Sequence, residues 1–252
     1  MRKLLGGVGR RIMDRLRPQP RPAMFALDPA EAPALAARAN GVLPQLFFTH
    51  RGRAMRKKVH YLDIYDRYFS RYRGRATTVL EIGVCEGGSL ELWRKYFGPD
   101  ATIFGIDVNP ACTARADLPN QVRIGAQADA AFLRSVVEEM GPPDIVIDDG
   151  SHVGADQRAS FATLFPLLAA GGLYVIEDVN TAYWRAYRGG YGTRGTAVDL
   201  AGALIDDLHG AYHDRPAATA ARDWIGALHV YDALIVVEKE RAVRPATLSV
   251  GG

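Results

Sequence analysis

One stretch of nine residues constrains the fold more than any other: residues 144–152 read Asp144-Ile-Val-Ile-Asp-Asp-Gly-Ser-His152. Its apolar part, residues 145–147, is β-branched and too short for a helix, which predicts a fully buried parallel strand. Two carboxylates, a glycine and a histidine follow it. Because ligands bind at the carboxyl ends of the strands in an open α/β sheet, this stretch predicts a functional edge on such a sheet.

A second predicted strand, residues 173–176, runs directly into another pair of acids. Beside the first strand it would bring four carboxylates and an imidazole to one edge, which is unfavourable without a cation. These hard ligands suit Mg²⁺ or Mn²⁺, and the histidine would remain as a base. The alternative is that the acids only solvate the strand ends and that the histidine caps the helix beginning near Gly154. The side chains concerned are Asp148, Asp149, His152, Glu177 and Asp178.

Strand and helix patterns alternate along most of the chain. Residues 61–72 carry an apolar stripe at helical spacing, and a short turn between the last two strands predicts a hairpin. The predicted fold is α/β, a Rossmann-like, doubly wound, mainly parallel seven-stranded sheet with an antiparallel C-terminal hairpin strand. We expect a basic, flexible N-terminal extension (1–44), one main domain (45–240) and a C-terminal tail (241–252). The predicted strands are residues 78–82, 101–106, 122–124, 145–147, 173–176, 227–231 and 234–238.

The first of these strands leads into a glycine-rich turn and a helix, and Asp107 follows the next strand about 25 residues later. This is a nucleotide-cofactor pattern in which the acid accepts hydrogen bonds from ribose hydroxyls. Glu81 and Glu86 would repel the pyrophosphate of NAD, but they would attract the cationic sulfonium and ammonium groups of S-adenosyl-L-methionine. The pattern therefore favours S-adenosyl-L-methionine. The candidate cofactor-binding residues are Glu81, Gly83, Gly87, Ser89, Asp107, Gln127 and Asp148.

Composition gives the class of protein. A chain of 252 residues with 48% apolar and 23% charged residues is typical of a soluble globular protein with one large domain. We expect no transmembrane helix and no secretory signal, because no run of about 20 apolar residues and no N-terminal apolar segment is present. Two cysteines cannot form a disulfide framework or a zinc cluster, so a reducing cytoplasm is expected.

The charge is unevenly distributed. Residues 1–60 hold 13 Lys and Arg against three Asp and Glu, an excess of +10; since the whole chain carries +3, the remainder carries −7. An acidic main domain argues against an enzyme acting on nucleic acid. Residues 1–22 are expected to be a solvated tail, with a basic amphipathic helix on an anionic membrane as the alternative. The basic cluster at residues 51–58 is expected to be a solvated charged face, with phosphate or sugar-nucleotide binding as the alternative.

Five short motifs together resemble the class I S-adenosylmethionine-dependent methyltransferases that act on sugar hydroxyls. The likeness covers about residues 45–240 and is strongest to the metal-dependent, mycinamicin-type macrolide-sugar O-methyltransferases and to relatives that act on rhamnosyl natural products. The motifs are Glu81-Ile-Gly83, Gly87-Gly-Ser-Leu90, Gly105-Ile-Asp107, the stretch 144–152, and Glu177-Asp178 with Thr181-Ala-Tyr-Trp184.

The resemblance implies roles for individual residues. It implies that Asp149, Glu177 and Asp178 hold Mg²⁺ and that His152 is the general base. The family often has an aspartate where Ala126 stands, so the adenine contact is expected to shift to Gln127 or to the backbone. The macrolide enzymes also have a large N-terminal domain for assembly and substrate binding, so neither a macrolide substrate nor an oligomeric state follows from the resemblance.

The predicted function is Mg²⁺-dependent O-methylation of a sugar hydroxyl with a vicinal neighbour. The metal would lower the pKa of the hydroxyl, and His152 would take its proton. Tyr183 and Trp184, with Tyr187 and Tyr191, would stack on sugar faces or else only pack their loop. Three alternatives stay open: a methyltransferase for a phenol, catechol or other small hydroxylated molecule, a non-catalytic partner protein in glycan assembly, and an NAD-dependent dehydrogenase.

Overall fold

A computed structural model describes residues 27–115, 121–243 and 245–251, so the predicted N-terminal tail (1–22) lies outside the described residues. Seven strands form one sheet in the order β3-β2-β1-β4-β5-β7-β6. β1 to β5 are parallel, and β7 runs antiparallel to both of its neighbours, β5 and β6. The predicted fold class is therefore confirmed. The strands are β1 (Thr78–Ile82), β2 (Thr102–Asp107), β3 (Val122–Ile124), β4 (Ile145–Asp148), β5 (Leu173–Ile176), β6 (Ile225–Tyr231) and β7 (Leu234–Lys239).

Helices cover both faces of the sheet. One apolar core cluster joins α2, α3 and α4 to one face, and a second joins α5, α6 and α7 to the other. Because side chains alternate along a strand, Ile145 and Ile147 belong to the first cluster and Val146 to the second. The helices are α1 (Ala32–Arg38), α2 (Val42–Phe48), α3 (Val59–Phe69), α4 (Gly88–Phe97), α5 (Ala130–Met140), α6 (Gly154–Leu164) and α7 (Ala197–Leu208).

The strand order reverses at β1, which lies between β2 and β4. Ligands bind at such a switch point, outside the carboxyl ends of the strands. β4 and β5 are direct neighbours with Asp148 opposite Ile176, so the acids that follow the two strands emerge side by side. The fold thus places the predicted cofactor turn and the predicted metal acids on the same edge of the sheet.

The predicted flexible extension is wrong at its C-terminal end. Leu43 in α2 is completely buried in the core, and its N–H donates to Asp66 Oδ1 at 3.2 Å. Residues 42–44 therefore pack with the main domain, while the other proposed boundaries stay predictions. In the described part of the chain, none of the helices combines the length and the apolar character that a bilayer span requires.

Candidate functional site

Three side chains from the ends of β4 and β5 converge on a common point. One ligand atom from each of Asp149, His152 and Asp178 lies within 4.8 Å of the other two. His152 Nε2 is 3.9 Å from Asp149 Oδ1 and 3.9 Å from Asp178 Oδ2. In an octahedral Mg²⁺ site with bonds of about 2.1 Å, ligand atoms lie about 3–4.2 Å apart. The two separations of 3.9 Å lie in this range, and carboxylate and imidazole groups are donors that bind divalent cations.

His152 presents an imidazole with unsatisfied hydrogen-bonding capacity. Its Nδ1 is buried and has no hydrogen-bond partner among the described residues. The residue before α6 is Val153, and no side chain caps this helix. The alternative in which His152 serves as a helix cap is therefore wrong, and its ring faces the acids instead.

Glu177 lies beside this group with its side chain engaged elsewhere. It is 2% exposed, and its Oε1 is 2.5 Å from Lys57 Nζ and accepts a short hydrogen bond from the Tyr65 hydroxyl. Burial and the neighbouring charge of Asp149 raise the pKa of Glu177 to about 8, although Lys57 and Tyr65 act in the opposite direction. Its role as a metal ligand stays a prediction.

Two lysines at the acidic edge were not predicted from the sequence. The Lys57 side chain is 3% exposed, and its Nζ lies 2.6 Å from Asp149 Oδ2. Lys58 Nζ contacts Asp178 Oδ1. Burial acts to lower the pKa of Lys57, but the charges of Asp149, Glu177 and Glu81 outweigh it and raise that pKa well above its usual value. The expectation of a solvated charged face is therefore wrong for Lys57 and Lys58.

The backbone before these lysines is fixed on the N-terminus of α4. Arg53 N–H donates to Glu91 Oε2 at 3.1 Å, and His50 Nε2 lies 3.4 Å from the same oxygen. A Cβ on Gly88 would lie 2.3 Å from the Arg53 carbonyl oxygen, closer than such contacts allow. The glycine at this position thus lets the chain cross the helix and turn Lys57 inward.

The predicted cofactor crevice lies between β1 and β2. Asp107 Oδ2 accepts hydrogen bonds from the Val84 and Cys85 N–H groups at 3.0 and 3.1 Å, and its Oδ1 accepts one from Asn109. Burial acts to raise the pKa of Asp107, but these backbone donors outweigh it and lower that pKa. An ionised Asp107 therefore holds the glycine-rich turn and lies where a ribose is expected.

The turn itself depends on glycine. Gly83 has φ +95°, and a Cβ there would lie 2.2 Å from the Asp149 carbonyl oxygen. Gly87 has φ +82° and immediately precedes α4. The turn after β1 and the acid after β4 are thus in direct backbone proximity, so the predicted cofactor and metal sites adjoin.

The other predicted cofactor contacts are enclosed. Glu81 is completely buried and its Oε2 accepts a hydrogen bond from Ser89 Oγ at 2.6 Å. Asp148 is also completely buried and accepts one from Gln127 Nε2 at 3.0 Å, and Gln127 Oε1 accepts one from Ser151 N–H. These four side chains hydrogen-bond in pairs within the wall of the crevice, and their role as cofactor contacts stays a prediction.

The aromatic loop after β5 extends from the surface towards His152. The centroids of the Trp184 and Tyr187 rings are 6.0 Å apart, and those of Tyr187 and His152 are also 6.0 Å apart. Tyr183 and Tyr191 are 43% and 86% exposed. Tyr187 is therefore the ring of this loop that adjoins the base candidate, and Trp184 lies next to it.

Comparisons with known proteins agree with this geometry. A family model described as a methyltransferase domain matches residues 80–179. The chain is 44% identical over 197 residues to the 8-demethyl-8-(2-methoxy-alpha-L-rhamnosyl)-tetracenomycin-C 3'-O-methyltransferase of Streptomyces olivaceus, covering 72% of this chain and 49% of that protein. It is 40% identical over 195 residues to the mycinamicin VI 2''-O-methyltransferase of Micromonospora griseorubida, covering 70% of this chain and 47% of that protein.

A solved structure is also similar. MycE, a methyltransferase from the mycinamycin biosynthetic pathway solved in complex with Mg, SAH and mycinamycin VI, matches with a TM-score of 0.69 and 38% identity over 79% of this chain and 53% of that one. The chain spans about half the length of the relatives that it matches. By its family model, its sheet topology and these identities, this chain belongs to the class I methyltransferases, as a relative of O-methyltransferases of glycosylated natural products.

Proposed function

We propose that this protein is an S-adenosyl-L-methionine-dependent and Mg²⁺-dependent O-methyltransferase that acts on a sugar hydroxyl of a glycan or glycosylated natural product. The observation that carries the proposal is the convergence of Asp149, His152 and Asp178 beside the glycine-rich turn. The relative that was solved with Mg, SAH and mycinamycin VI supports the same cofactor, metal and acceptor class.

In this proposal Asp149 and Asp178 hold the cation, and Glu177 is the third ligand that the resemblance implies. A bound Mg²⁺ or Mn²⁺ supplies Lewis acidity, which lowers the pKa of an acceptor hydroxyl. His152 Nε2, which faces both aspartates, takes the hydroxyl proton. Its neighbours Tyr187 and Trp184 offer ring faces for an acceptor with vicinal hydroxyls.

The cofactor in this proposal lies across the turn after β1. Asp107, ionised and aligned by three backbone N–H groups, accepts hydrogen bonds from the ribose hydroxyls. Because the turn and Asp149 adjoin, the transferred methyl group and the acceptor oxygen can be aligned, and alignment supplies much of the rate enhancement.

We also propose that residues 1–22 contact an anionic membrane surface and that the protein works in the cytoplasm. The first point rests on the basic and apolar pattern of the sequence alone. The second is supported by the low cysteine content, because two cysteines in 252 residues cannot form a disulfide framework.

The test is a turnover assay with S-adenosyl-L-methionine, Mg²⁺ and methyl α-L-rhamnoside, with catechol in parallel. We expect methylation of the glycoside, loss of turnover in excess EDTA and recovery with Mg²⁺, while SAH binding measured by calorimetry persists. Asp149→Ala should lose turnover, and Glu138→Ala, exposed on α5, should retain it. Full turnover in excess chelator, or tight NAD binding without SAH binding, would contradict the proposal.

A further inference from the structure

The two inward-facing lysines divide the oxygens of the acidic side chains into two sets. Asp149 gives Oδ2 to Lys57 and turns Oδ1 towards His152. Asp178 gives Oδ1 to Lys58 and to the Tyr61 hydroxyl, and turns Oδ2 towards His152. In both carboxylates a lysine contacts one oxygen. The other oxygen faces the point where the donor atoms of Asp149, His152 and Asp178 converge.

We propose that Lys57 and Lys58 are positioning residues that orient Asp149 and Asp178 for a divalent cation. The inference rests on the proposed function and adds two residues that the methyltransferase motifs do not contain. Groups that hydrogen-bond to ligating carboxylates fix their orientation, and their removal typically weakens metal binding about 10- to 100-fold. Lys57 is suited to this because its own position is fixed by burial and by Glu177.

The lysines also reduce the repulsion within the acidic group. Four carboxylates lie in this group, those of Glu81, Asp149, Glu177 and Asp178, and each contacts one of the two ammonium groups. The lysines contact Asp149 Oδ2 and Asp178 Oδ1, and the other oxygen of each aspartate faces His152.

If the lysines competed with the cation instead of positioning its ligands, the expected change in metal affinity would have the opposite sign. If the ammonium groups occupied the cation's own position, removing one would free ligand oxygens and tighten metal binding. The contacts of Lys57 favour positioning, because its Nζ contacts Asp149 through Oδ2, whereas Oδ1 faces the point of convergence with His152. The sign of the change in metal affinity therefore separates positioning from competition.

The two lysines also differ in what they connect. Lys57 contacts Glu81, which bonds Ser89 in the wall of the cofactor crevice, as well as Asp149. Lys58 contacts Asp178 and Tyr61. We therefore expect a change at Lys57 to affect both metal and cofactor binding, and a change at Lys58 to affect metal binding alone.

The experiment measures Mn²⁺ affinity by electron paramagnetic resonance and SAH affinity by calorimetry on the full chain. We expect Lys57→Met and Lys58→Met to bind Mn²⁺ about 10- to 100-fold more weakly. SAH affinity should fall in Lys57→Met and stay at the wild-type value in Lys58→Met. Lys58→Arg should recover Mn²⁺ binding, and Lys95→Met, exposed on α4, is the matched control.

Unchanged or tighter Mn²⁺ binding in the lysine variants would overturn the positioning role. If Lys57→Met fails to fold, Lys58→Met carries the test, because the Lys58 side chain is 28% exposed. Wild-type protein that binds no Mn²⁺, or Asp149→Ala that binds it normally, would reject the proposed metal site and this inference with it. Normal wild-type binding that is lost in Asp149→Ala but unaffected in both lysine variants would reject this inference alone.

Discussion

His152 and Asp178 both adopt a left-handed backbone conformation, with φ of 55° and 54°. Non-glycine residues in this region cost about 1–3 kcal/mol each and persist where neighbouring groups hold them. The Thr181 hydroxyl donates to the His152 carbonyl oxygen at 3.0 Å, and Asp178 N–H donates to the Tyr61 hydroxyl at 3.2 Å. The two strained residues thus carry side chains of the proposed site, and both are fixed from outside it.

Removal of the His152 imidazole should distinguish two roles, general base and metal ligand. We expect His152→Ala to lower kcat by about 10²–10⁴, the usual contribution of a general base. Mn²⁺ affinity should change little, because the carboxylate ligands remain in place. The measurements are steady-state kinetics with a methyl glycoside and Mn²⁺ titration, with His209→Ala, exposed at the end of α7, as the control. A large loss of Mn²⁺ affinity would instead identify His152 as a metal ligand.

At the scale of individual residues, the sequence predicted part of the site. It brought together Asp149, His152 and Asp178, because strand-end residues of neighbouring parallel strands must meet at one edge. It did not predict Lys57, because a run of basic residues has no periodicity that distinguishes an inward from an outward side chain. Tyr65 lies in the apolar stripe predicted at residues 61–72 and is buried, but its hydroxyl also donates a hydrogen bond to Glu177, which the stripe does not predict.

At the scale of elements, the sequence predicted all seven strands to within two residues at each end. Short β-branched runs between glycines and helical stripes are strong signals, so the sequence located β4 and β5. That the two strands are direct neighbours was assumed from the sequence and is given by the sheet order. The crossing of residues 51–58 over α4 could not be predicted. It depends on single long-range contacts, such as Arg53 with Glu91, which leave no local pattern.

This crossing can be tested with a pair of glycine substitutions. In Gly88→Ala the new methyl group would lie 2.3 Å from the Arg53 carbonyl oxygen, so residues 51–58 must shift and Lys57 must move with them. We expect a loss of about 1–3 kcal/mol in unfolding free energy, typical of overpacking, together with weaker Mn²⁺ and SAH binding. Urea denaturation and calorimetry measure both effects.

The control is Gly202→Ala in the interior of α7. A Cβ at Gly202 would have nothing within 4 Å, so alanine should stabilise the helix by about 0.5–1 kcal/mol and leave ligand binding unchanged. If Gly88→Ala behaved like Gly202→Ala, the close contact between α4 and the basic segment would not be a constraint on the site.

At the scale of the whole molecule, charge is divided between the two parts of the chain. Residues 1–60 carry an excess of +10, and the remainder carries −7. The side chains of Lys57 and Lys58 place two of these positive charges in contact with Asp149 and Asp178 at the acidic edge of the sheet. Seven of the thirteen basic residues lie within residues 1–22, the segment that is proposed to contact an anionic surface.

The proposed contact between residues 1–22 and an anionic membrane is tested with lipid vesicles. Basic residues near an anionic bilayer each contribute about 1 kcal/mol, and apolar residues such as Leu4, Leu5 and Ile12 would add burial in the headgroup region. We expect the full chain to co-sediment with phosphatidylserine-containing vesicles but not with neutral phosphatidylcholine vesicles, and the binding to weaken as salt increases. Deletion of residues 1–22 should abolish this binding and leave methylation of a soluble glycoside unchanged, because the proposed site is built entirely from residues after 50. Equal binding by the truncated and full-length proteins would show that residues 1–22 are not the membrane contact.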